Sequence, residues 1–291
     1  MKSGLYKLLL AGIFCILFRV PVLAETTQVN PVPSLNKVIW VWLENTPESQ
    51  MILQKYTKSL MSTYANAHFT NYLPSSIVTQ ADVMMMIGGS DFGIQDNSIS
   101  RVFSPTLIDL LDSKNISWKT YAEDYPGACY LSAGIGAYAR YRLPFLSIAH
   151  VQSDPYQCMK IVGFNNFVDD VKYNSLPRVS FVIPNTTDSG ATTNVTTADT
   201  ALKTILTPVL ASATFLQDTT VIISTTNNTS TVTGKKEMFT MVFGYGVQTG
   251  SLSVTTAYSH ANLLRMIENG LNLGNLNQAD ASADPMVGFW K

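Results

Sequence analysis

The stretch Val38-Ile39-Trp40-Val41-Trp42-Leu43 is a continuous apolar run that ends abruptly at the polar pair Glu44-Asn45. A short apolar run bounded by polar residues predicts a strand that is buried on both faces, as in the middle of a parallel sheet. Further runs of this kind predict strands at Trp118–Tyr121, Val179–Ile183, Val221–Ser224 and Phe239–Phe243.

Helical patterns separate these strands. Ser104-Pro105 precedes an apolar stripe, which predicts a helix with Ser104 as N-cap and proline at its first position. Other helices are predicted at Phe164–Val171, Asp199–Leu210 and Ser259–Asn269. Alternating strands and helices predict an α/β fold with a mostly parallel sheet that helices cover on both faces.

The first 24 residues are typical of a secretory signal peptide. Lys2 and Lys7 accompany an apolar run over residues 8–18, and Val22-Leu23-Ala24 supplies the small residues of a cleavage site. A retained transmembrane anchor is the alternative, but the run is shorter than the ~20 residues that a bilayer helix needs. We therefore expect a secreted or periplasmic protein without a transmembrane anchor after cleavage, with residues 25–291 as one domain.

Composition excludes some partners and agrees with export. With 19 basic and 20 acidic side chains, the formal charge of −1 favours neither nucleic acid nor an anionic membrane surface. Cys15 leaves with the signal peptide, and Cys129 and Cys158 are an even pair in an oxidising compartment. We expect them to form a disulfide, with two buried free thiols as the alternative.

Polar residues follow several of the predicted strands. They are Glu44-Asn45, the segment from Pro184 to Thr192, and the segment from Thr225 to Asn228. Ligands of open parallel sheets collect at the carboxyl ends of the strands. The functional site is therefore expected among these residues.

Six motifs, taken in order, resemble one known family. They are Trp40-Val-Trp-Leu-Glu-Asn45, Gly88-Gly-Ser-Asp-Phe-Gly-Ile94, Ser104-Pro-Thr-Leu-Ile-Asp-Leu-Leu111, Ser117-Trp-Lys-Thr-Tyr-Ala-Glu-Asp124, Phe181-Val-Ile-Pro-Asn185 and Tyr258-Ser-His-Ala-Asn-Leu-Leu-Arg-Met-Ile-Glu268. Together they look like the phosphoesterase family of secreted acid phosphatases and bacterial phospholipases C, and most like its acid-phosphatase branch. The resemblance implies a three-layer α/β/α sandwich of the alkaline-phosphatase-like type.

The resemblance also implies a site. In the family, a divalent cation held by oxygen ligands activates a Ser or Thr nucleophile that takes up the phosphoryl group. Glu44 and Asn45 match the family's metal-binding pair, and Thr79 matches the nucleophile position. Two plainer interpretations stay open: Glu44-Asn45 as an N-cap pair opening the next helix, and Thr79 as a helix cap.

Other family positions carry different residues here. The family's His-Asp pair becomes Ala191-Thr192, its Asp-Glu pair becomes Thr226-Asn227, and Arg142 stands where a pocket histidine is expected. Of the family-placed histidines, His260 is kept. His68 and His150 match no family position and are expected in surface or loop positions. Any divalent cation would then depend on Glu44 and a few carboxylates such as Asp82 or Asp188.

Two hypotheses follow from this resemblance. The first is an active metal-dependent phosphomonoesterase or phospholipase C-like hydrolase that uses Thr79 and recruits Asp82, Asp188 and Asp199. The second, which we favour, is a pseudophosphatase whose pocket residues bind a phosphorylated small molecule, lipid or protein without hydrolysing it. An unrelated exported structural protein would not reproduce the ordered motifs.

Overall fold

The predicted central strand is β1, and both of its faces are covered. Val38, Trp40 and Trp42 enter one apolar core, whereas the alternate residues Ile39, Val41 and Leu43 enter the other. Successive side chains of a strand point to opposite faces, so a strand buried on both sides has no polar positions. This arrangement explains the uninterrupted apolar run.

A computed structural model describes residues 31–212, 214–228 and 237–291. The signal peptide predicted for residues 1–24 lies outside these ranges. Within them, no helix is both long enough and apolar enough to cross a membrane.

The described residues form ten strands. They are β1 (Lys37–Leu43), β2 (Asn66–Phe69), β3 (Trp118–Ala122), β4 (Gly134–Ile135), β5 (Tyr138–Ala139), β6 (Ile161–Gly163), β7 (Val179–Ile183), β8 (Thr219–Thr225), β9 (Thr240–Gly244) and β10 (Ser251–Val254). Eight of these described strands form one sheet in the order β10-β2-β9-β8-β1-β7-β3-β6. Strand β9 runs antiparallel to β2 and β8, and the other neighbours in that sheet are parallel. Strands β4 and β5 pair separately.

Helices lie on both sides of the sheet. They are α1 (Glu48–Met51), α2 (Lys55–Thr63), α3 (Thr79–Gly88), α4 (Leu107–Ser113), α5 (Ala149–Ser153), α6 (Pro155–Cys158), α7 (Phe164–Lys172), α8 (Val195–Leu210), α9 (Phe215–Asp218), α10 (His260–Leu271) and α11 (Ala279–Ser282), with short 3-10 turns at Arg140–Arg142 and Pro144–Ser147. Helices α3, α4 and α10 contribute to the core that contains Trp40. Helices α2, α7 and α8 contribute to the core that contains Ile39. The predicted α/β sandwich with a mostly parallel sheet is confirmed.

Two local predictions are corrected. The helix predicted from Ser104 has Thr106 as its N-cap, because Thr106 and Asp109 form a reciprocal capping box. His68 lies on β2 rather than in a loop, and it is half-buried with Nε2 3.9 Å from Oε1 of Glu48. His150, on α5, has an exposed imidazole, as expected.

The disulfide between Cys129 and Cys158 is present. It ties the loop after β3 to the end of α6, with 29 residues of sequence separation between the cysteines. The alternative of two buried free thiols is thereby set aside.

Candidate functional site

The site lies at the carboxyl edge of the sheet, where β1, β7 and β8 end together. Trp42 pairs with Ser224 and Leu43 with Thr225, so Glu44 follows β1 beside the residues that follow β8. The backbone confirms this neighbourhood, because the N–H of Asn45 donates to the carbonyl of Asn227 over 2.8 Å. The N–H of Glu44 donates to the carbonyl of Ser189 over 2.9 Å. The three segments expected to form the site therefore meet.

Glu44 contacts two side chains. Its Oε1 accepts a hydrogen bond from Oγ1 of Thr79 at 2.7 Å, and its Oε2 lies 2.8 Å from Nε of Arg142. The side chains of Glu44 and Arg142 are 7% and 2% exposed. The Nε–Oε2 contact is an ion pair without hydrogen-bond alignment. Buried ion pairs of this kind compensate two charges that would each be costly to bury alone.

Arg142 is held by the main chain that follows β7. Its Nη1 donates to the carbonyl of Pro184 and, over 3.0 Å, to that of Asn185. Its Nη2 is buried and has no hydrogen-bond partner among the described residues. One nitrogen of the guanidinium is thus available beside Glu44.

Asp82 forms a second cluster next to Glu44. Its Oδ1 accepts from the N–H groups of Ser75 and Ser76, over 2.9 and 2.8 Å, and its Oδ2 accepts from Nδ2 of Asn227 over 2.6 Å. Burial raises the pKa of Asp82 to about 7; these hydrogen bonds lower it in part, and the charge of Glu44 raises it further. The two carboxyl groups are therefore near neighbours.

His260 belongs to the same cluster and is neutral. Its Nε2 lies 2.9 Å from the carbonyl of Thr226, and its Nδ1 lies 2.9 Å from the hydroxyl of Tyr72. Because a carbonyl can only accept, Nε2 carries the proton and Nδ1 accepts from Tyr72. Burial lowers the pKa of His260 to about 4, although the bond to Thr226 opposes this shift. The imidazole, 3.7 Å from Asp82, is therefore a structural hydrogen-bonding group at neutral pH.

The two plainer interpretations of the motif residues do not hold. The helix after Glu44-Asn45 begins at Glu48 with Pro47 as N-cap, so the pair caps nothing. Asn45 instead adopts a left-handed backbone, with φ of 51°, and its Nδ2 donates to the carbonyl of Ala191 over 3.1 Å. Thr79 is the first residue of α3 rather than its N-cap, which is Val78.

Several predicted pocket residues lie elsewhere. The Thr226 hydroxyl donates to the Leu43 carbonyl over 3.1 Å, so it supports β1 and not the pocket. Asp188 lies near Glu123; burial, with the added repulsion from Asp188, raises the pKa of Glu123 to about 7. Asp199 accepts from the backbone N–H groups at the start of α2, over 2.8 Å each, and is therefore a helix-capping residue.

The described residues do not fit a divalent metal site. Within residues 31–212, 214–228 and 237–291, no three His, Cys, Asp or Glu side chains are grouped as ligands for one ion. Glu44, the carboxylate predicted as a metal ligand, already has the cation of Arg142 at 2.8 Å. Hard divalent cations need several oxygen ligands, and the residues predicted at the family's Asp-Glu pair offer a hydroxyl and an amide that are already hydrogen-bonded, to Leu43 and Asp82.

Two features of the site were missed from the sequence. One is Tyr72, which orients His260 through a hydrogen bond to Nδ1 and lies in none of the recognised motifs. The other is the partner of Arg142, because the sequence did not indicate that its guanidinium faces Glu44. Neither has a local signal, because both contacts join segments far apart in the chain.

The comparisons identify the family. Residues 75–274 match the Phosphoesterase family, so the chain belongs to it. It is 28% identical over 260 residues to the phosphate-repressible acid phosphatase of Penicillium chrysogenum, across 86% of this chain and 62% of that protein. It is 24% identical over 264 residues to a phosphatidylinositol-3-phosphatase of Mycobacterium tuberculosis, across 90% of this chain and 85% of that protein. The chain thus spans less than two thirds of the fungal relative.

Solved structures show the same fold. A protein of the alkaline phosphatase superfamily from Vibrio parahaemolyticus superposes with a TM-score of 0.57 at 12% identity, over 92% of this chain and 75% of that one. The alkaline phosphatase of the Antarctic bacterium TAB5 superposes with a TM-score of 0.51 at 11% identity, over 84% of this chain and all of that one. The fold is therefore that of the alkaline phosphatase superfamily, as the resemblance implied.

Proposed function

We propose that this chain is an exported phosphoesterase-family protein with reduced or lost hydrolysis that binds a phosphorylated ligand at the carboxyl edge of β1. The ligand class is a phosphorylated small molecule, lipid or protein. One observation carries the proposal: both oxygens of Glu44 are engaged within the protein, by Thr79 at 2.7 Å and by Arg142 at 2.8 Å. The neighbouring carboxyl group, Asp82, also has both oxygens occupied, by the N–H groups of Ser75 and Ser76 and by Nδ2 of Asn227. Two carboxylates engaged in this way do not supply the several free oxygen ligands that a divalent ion needs.

The alternative is an active metal-dependent hydrolase that uses Thr79 as nucleophile. The hydrogen bond from the Thr79 hydroxyl to Glu44 favours it, because a hydroxyl oriented by a carboxylate is a recognised arrangement for a nucleophile. The relatives named as acid phosphatases favour it too. Against it stands the ligand set, since the sequence offers Thr226 and Asn227 where the family has an Asp-Glu pair.

Turnover separates the two. Purified protein is assayed with p-nitrophenyl phosphate in a chelator and with magnesium, manganese, calcium or zinc, beside a Thr79→Val control that removes the hydroxyl at nearly constant volume. We expect wild type and control to show the same negligible rate in every condition. A wild-type rate of about 1 per second or faster, lost in Thr79→Val, would establish the active hydrolase.

Export is a separate part of the proposal. It is supported by the signal-peptide pattern of residues 1–24 and by the Cys129–Cys158 disulfide, a bond typical of oxidising compartments. We expect a mature chain that begins at Glu25 and carries 25–291 as one phosphoesterase-like domain. Intact-mass measurement of protein from the periplasm or medium tests this, and a full-length mass in that fraction would contradict cleavage.

A further inference from the structure

The charge of Arg142 is the unexplained feature of the site. A guanidinium that is 2% exposed lies against a carboxylate that is 7% exposed, and it keeps one nitrogen, Nη2, without a partner among the described residues. A buried donor without an acceptor is destabilising, by roughly 1–3 kcal/mol for neutral groups and more for charged ones. Some oxygen from outside the described residues is therefore expected at Nη2.

The rest of the surroundings leaves Arg142 as the positive charge of the site. Both nitrogens of His260 are occupied by neutral groups, the carbonyl of Thr226 and the hydroxyl of Tyr72. Asp82 accepts three hydrogen bonds, from Ser75, Ser76 and Asn227, and none from a cation. The guanidinium of Arg142 lies 2.8 Å from Glu44, so a second cation beside Glu44 would be repelled.

A neighbouring arginine offers a comparison. Arg140 lies in the same 3-10 turn and is equally buried, at 1% exposure. Its Nη2 donates to the carbonyls of Ser100 and Leu146, and its Nε, like Nη2 of Arg142, is buried without a hydrogen-bond partner, but no described ion pair joins Arg140 to a carboxylate. Arg142 differs because it faces Glu44, whose other carboxylate oxygen accepts a hydrogen bond from the Thr79 hydroxyl.

We propose that the guanidinium of Arg142 replaces the divalent cation as the positive charge that holds a phosphate group beside Thr79. This inference rests on the proposed function and adds the group that recognises the ligand. A guanidinium suits the task because its planar fork of donors matches the oxygens of a phosphate.

The substitution Glu44→Gln distinguishes an arginine anchor from a metal anchor by the sign of its effect. If a metal held the phosphate, removing its carboxylate ligand would weaken binding. If Arg142 holds it, Glu44→Gln removes the anion that competes for the guanidinium, and phosphate should bind about tenfold more tightly. The double variant Glu44→Gln with Arg142→Met removes both charges, which generally preserves folding better than removing one.

The experiment titrates inorganic phosphate, and separately glycerol 3-phosphate, into each protein in a chelator by calorimetry. We expect wild type to bind, Glu44→Gln to bind more tightly, and the double variant to bind about a hundredfold more weakly than Glu44→Gln. Arg142→Lys should weaken binding and the matched control Arg140→Lys should not, with thermal melting to show that each variant folds. Glycerol 3-phosphate binding as tightly as phosphate points to an ester headgroup, and phosphate alone to the free ion.

The outcomes separate this inference from the proposed function. Phosphate binding that requires added magnesium or manganese, or a double variant that binds as tightly as Glu44→Gln, would overturn the role of Arg142 and leave ligand binding established. Absence of binding by wild type with and without metal would overturn the proposed function, and the role of Arg142 with it.

Discussion

Asn227 donates a hydrogen bond from Nδ2 to Oδ2 of Asp82 over 2.6 Å, and a second from the same nitrogen to the carbonyl of Ser76 over 3.1 Å. The loop after β8 therefore faces α3 and the site, at the position where the family resemblance implies an acidic pair. An amide can donate to Asp82, whereas a carboxylate there would repel it unless a cation lay between them. An amide at position 227 therefore suits a site without a cation between Asp82 and this segment.

Restoring that acidity should restore metal binding. Asn227→Glu, combined with Arg142→Met to remove the competing cation, is expected to be stabilised by magnesium, calcium or manganese. Mass action gives roughly 2.7 kcal/mol at a hundredfold excess over the dissociation constant. Thermal shift is the measurement, with Asn227→Gln and Arg142→Met together as the neutral control. A double variant that folds but ignores metal would mean that position 227 does not supply a ligand to the site.

Gly190 fixes the position of Glu44. It has a left-handed φ of 92°, and an added Cβ would lie 2.6 Å from the Glu44 carbonyl oxygen. Gly190→Ala should therefore destabilise the fold and weaken phosphate binding. Gly127→Ala is the matched control, because Gly127 has a φ of 84° with nothing within 4 Å of an added Cβ, so it carries the backbone cost alone, roughly 1–2 kcal/mol. Equal loss of unfolding free energy in urea for the two variants would refute the contact argument.

Glu268 should make stability depend on pH. Its carboxyl is fully buried, and burial first, then the neighbouring Asp280, raises its pKa from 4.5 to about 8. A group with a raised folded-state pKa stabilises the fold at low pH, and that contribution is lost as pH rises from about 4.5 through about 8. Glu268→Gln, which cannot ionise, should lose less stability than wild type across this range. Denaturant unfolding at pH 5 and pH 9 tests it, and parallel pH profiles would contradict it.

The disulfide should contribute substantially to stability. Cys129 and Cys158 are 29 residues apart, and by loop-entropy reasoning closing such a loop stabilises the fold by about 3 to 4 kcal/mol. Cys129→Ala with Cys158→Ala should lower the free energy of unfolding by that order. Reduced wild type is the control for the changed side chains. Free thiols found by intact-mass analysis of denatured, unreduced protein would refute the bond.

The sequence predicted the interior of the fold better than its edges. The apolar run of β1 is readable because all of Val38–Leu43 is buried. Strand β10 was missed because its residues alternate between exposed and half-buried at the sheet edge, and β2 because it contains Asn66 and His68. The strand propensity of individual residues predicts edge strands poorly, because only one side of such a strand packs against the rest of the sheet.

At the site, the sequence predicted several of the residues but not which side chains contact each other. The sequence indicated the three residues separately: Glu44 from the first motif, and Thr79 and Arg142 from family positions outside the six motifs. That Thr79 and Arg142 bind the same carboxylate depends on the packing of α3 and the 3-10 turn against the end of β1. Asp188 and Asp199 show the converse, since acidic residues that suited a metal in composition lie elsewhere in the fold.

Metal titration of the wild-type protein tests the central claim most directly. Protein freed of metal by a chelator and dialysed is titrated by calorimetry with magnesium, manganese, calcium and zinc, beside Glu44→Gln. Because Arg142 already provides the positive charge at Glu44, the expected result is no saturable binding of any of the four ions and no metal-dependent rise in melting temperature. Saturable binding of one ion per chain that Glu44→Gln abolishes would contradict the account. Glu44 would then be a metal ligand, and Arg142 would not replace the metal as the positive charge of the site.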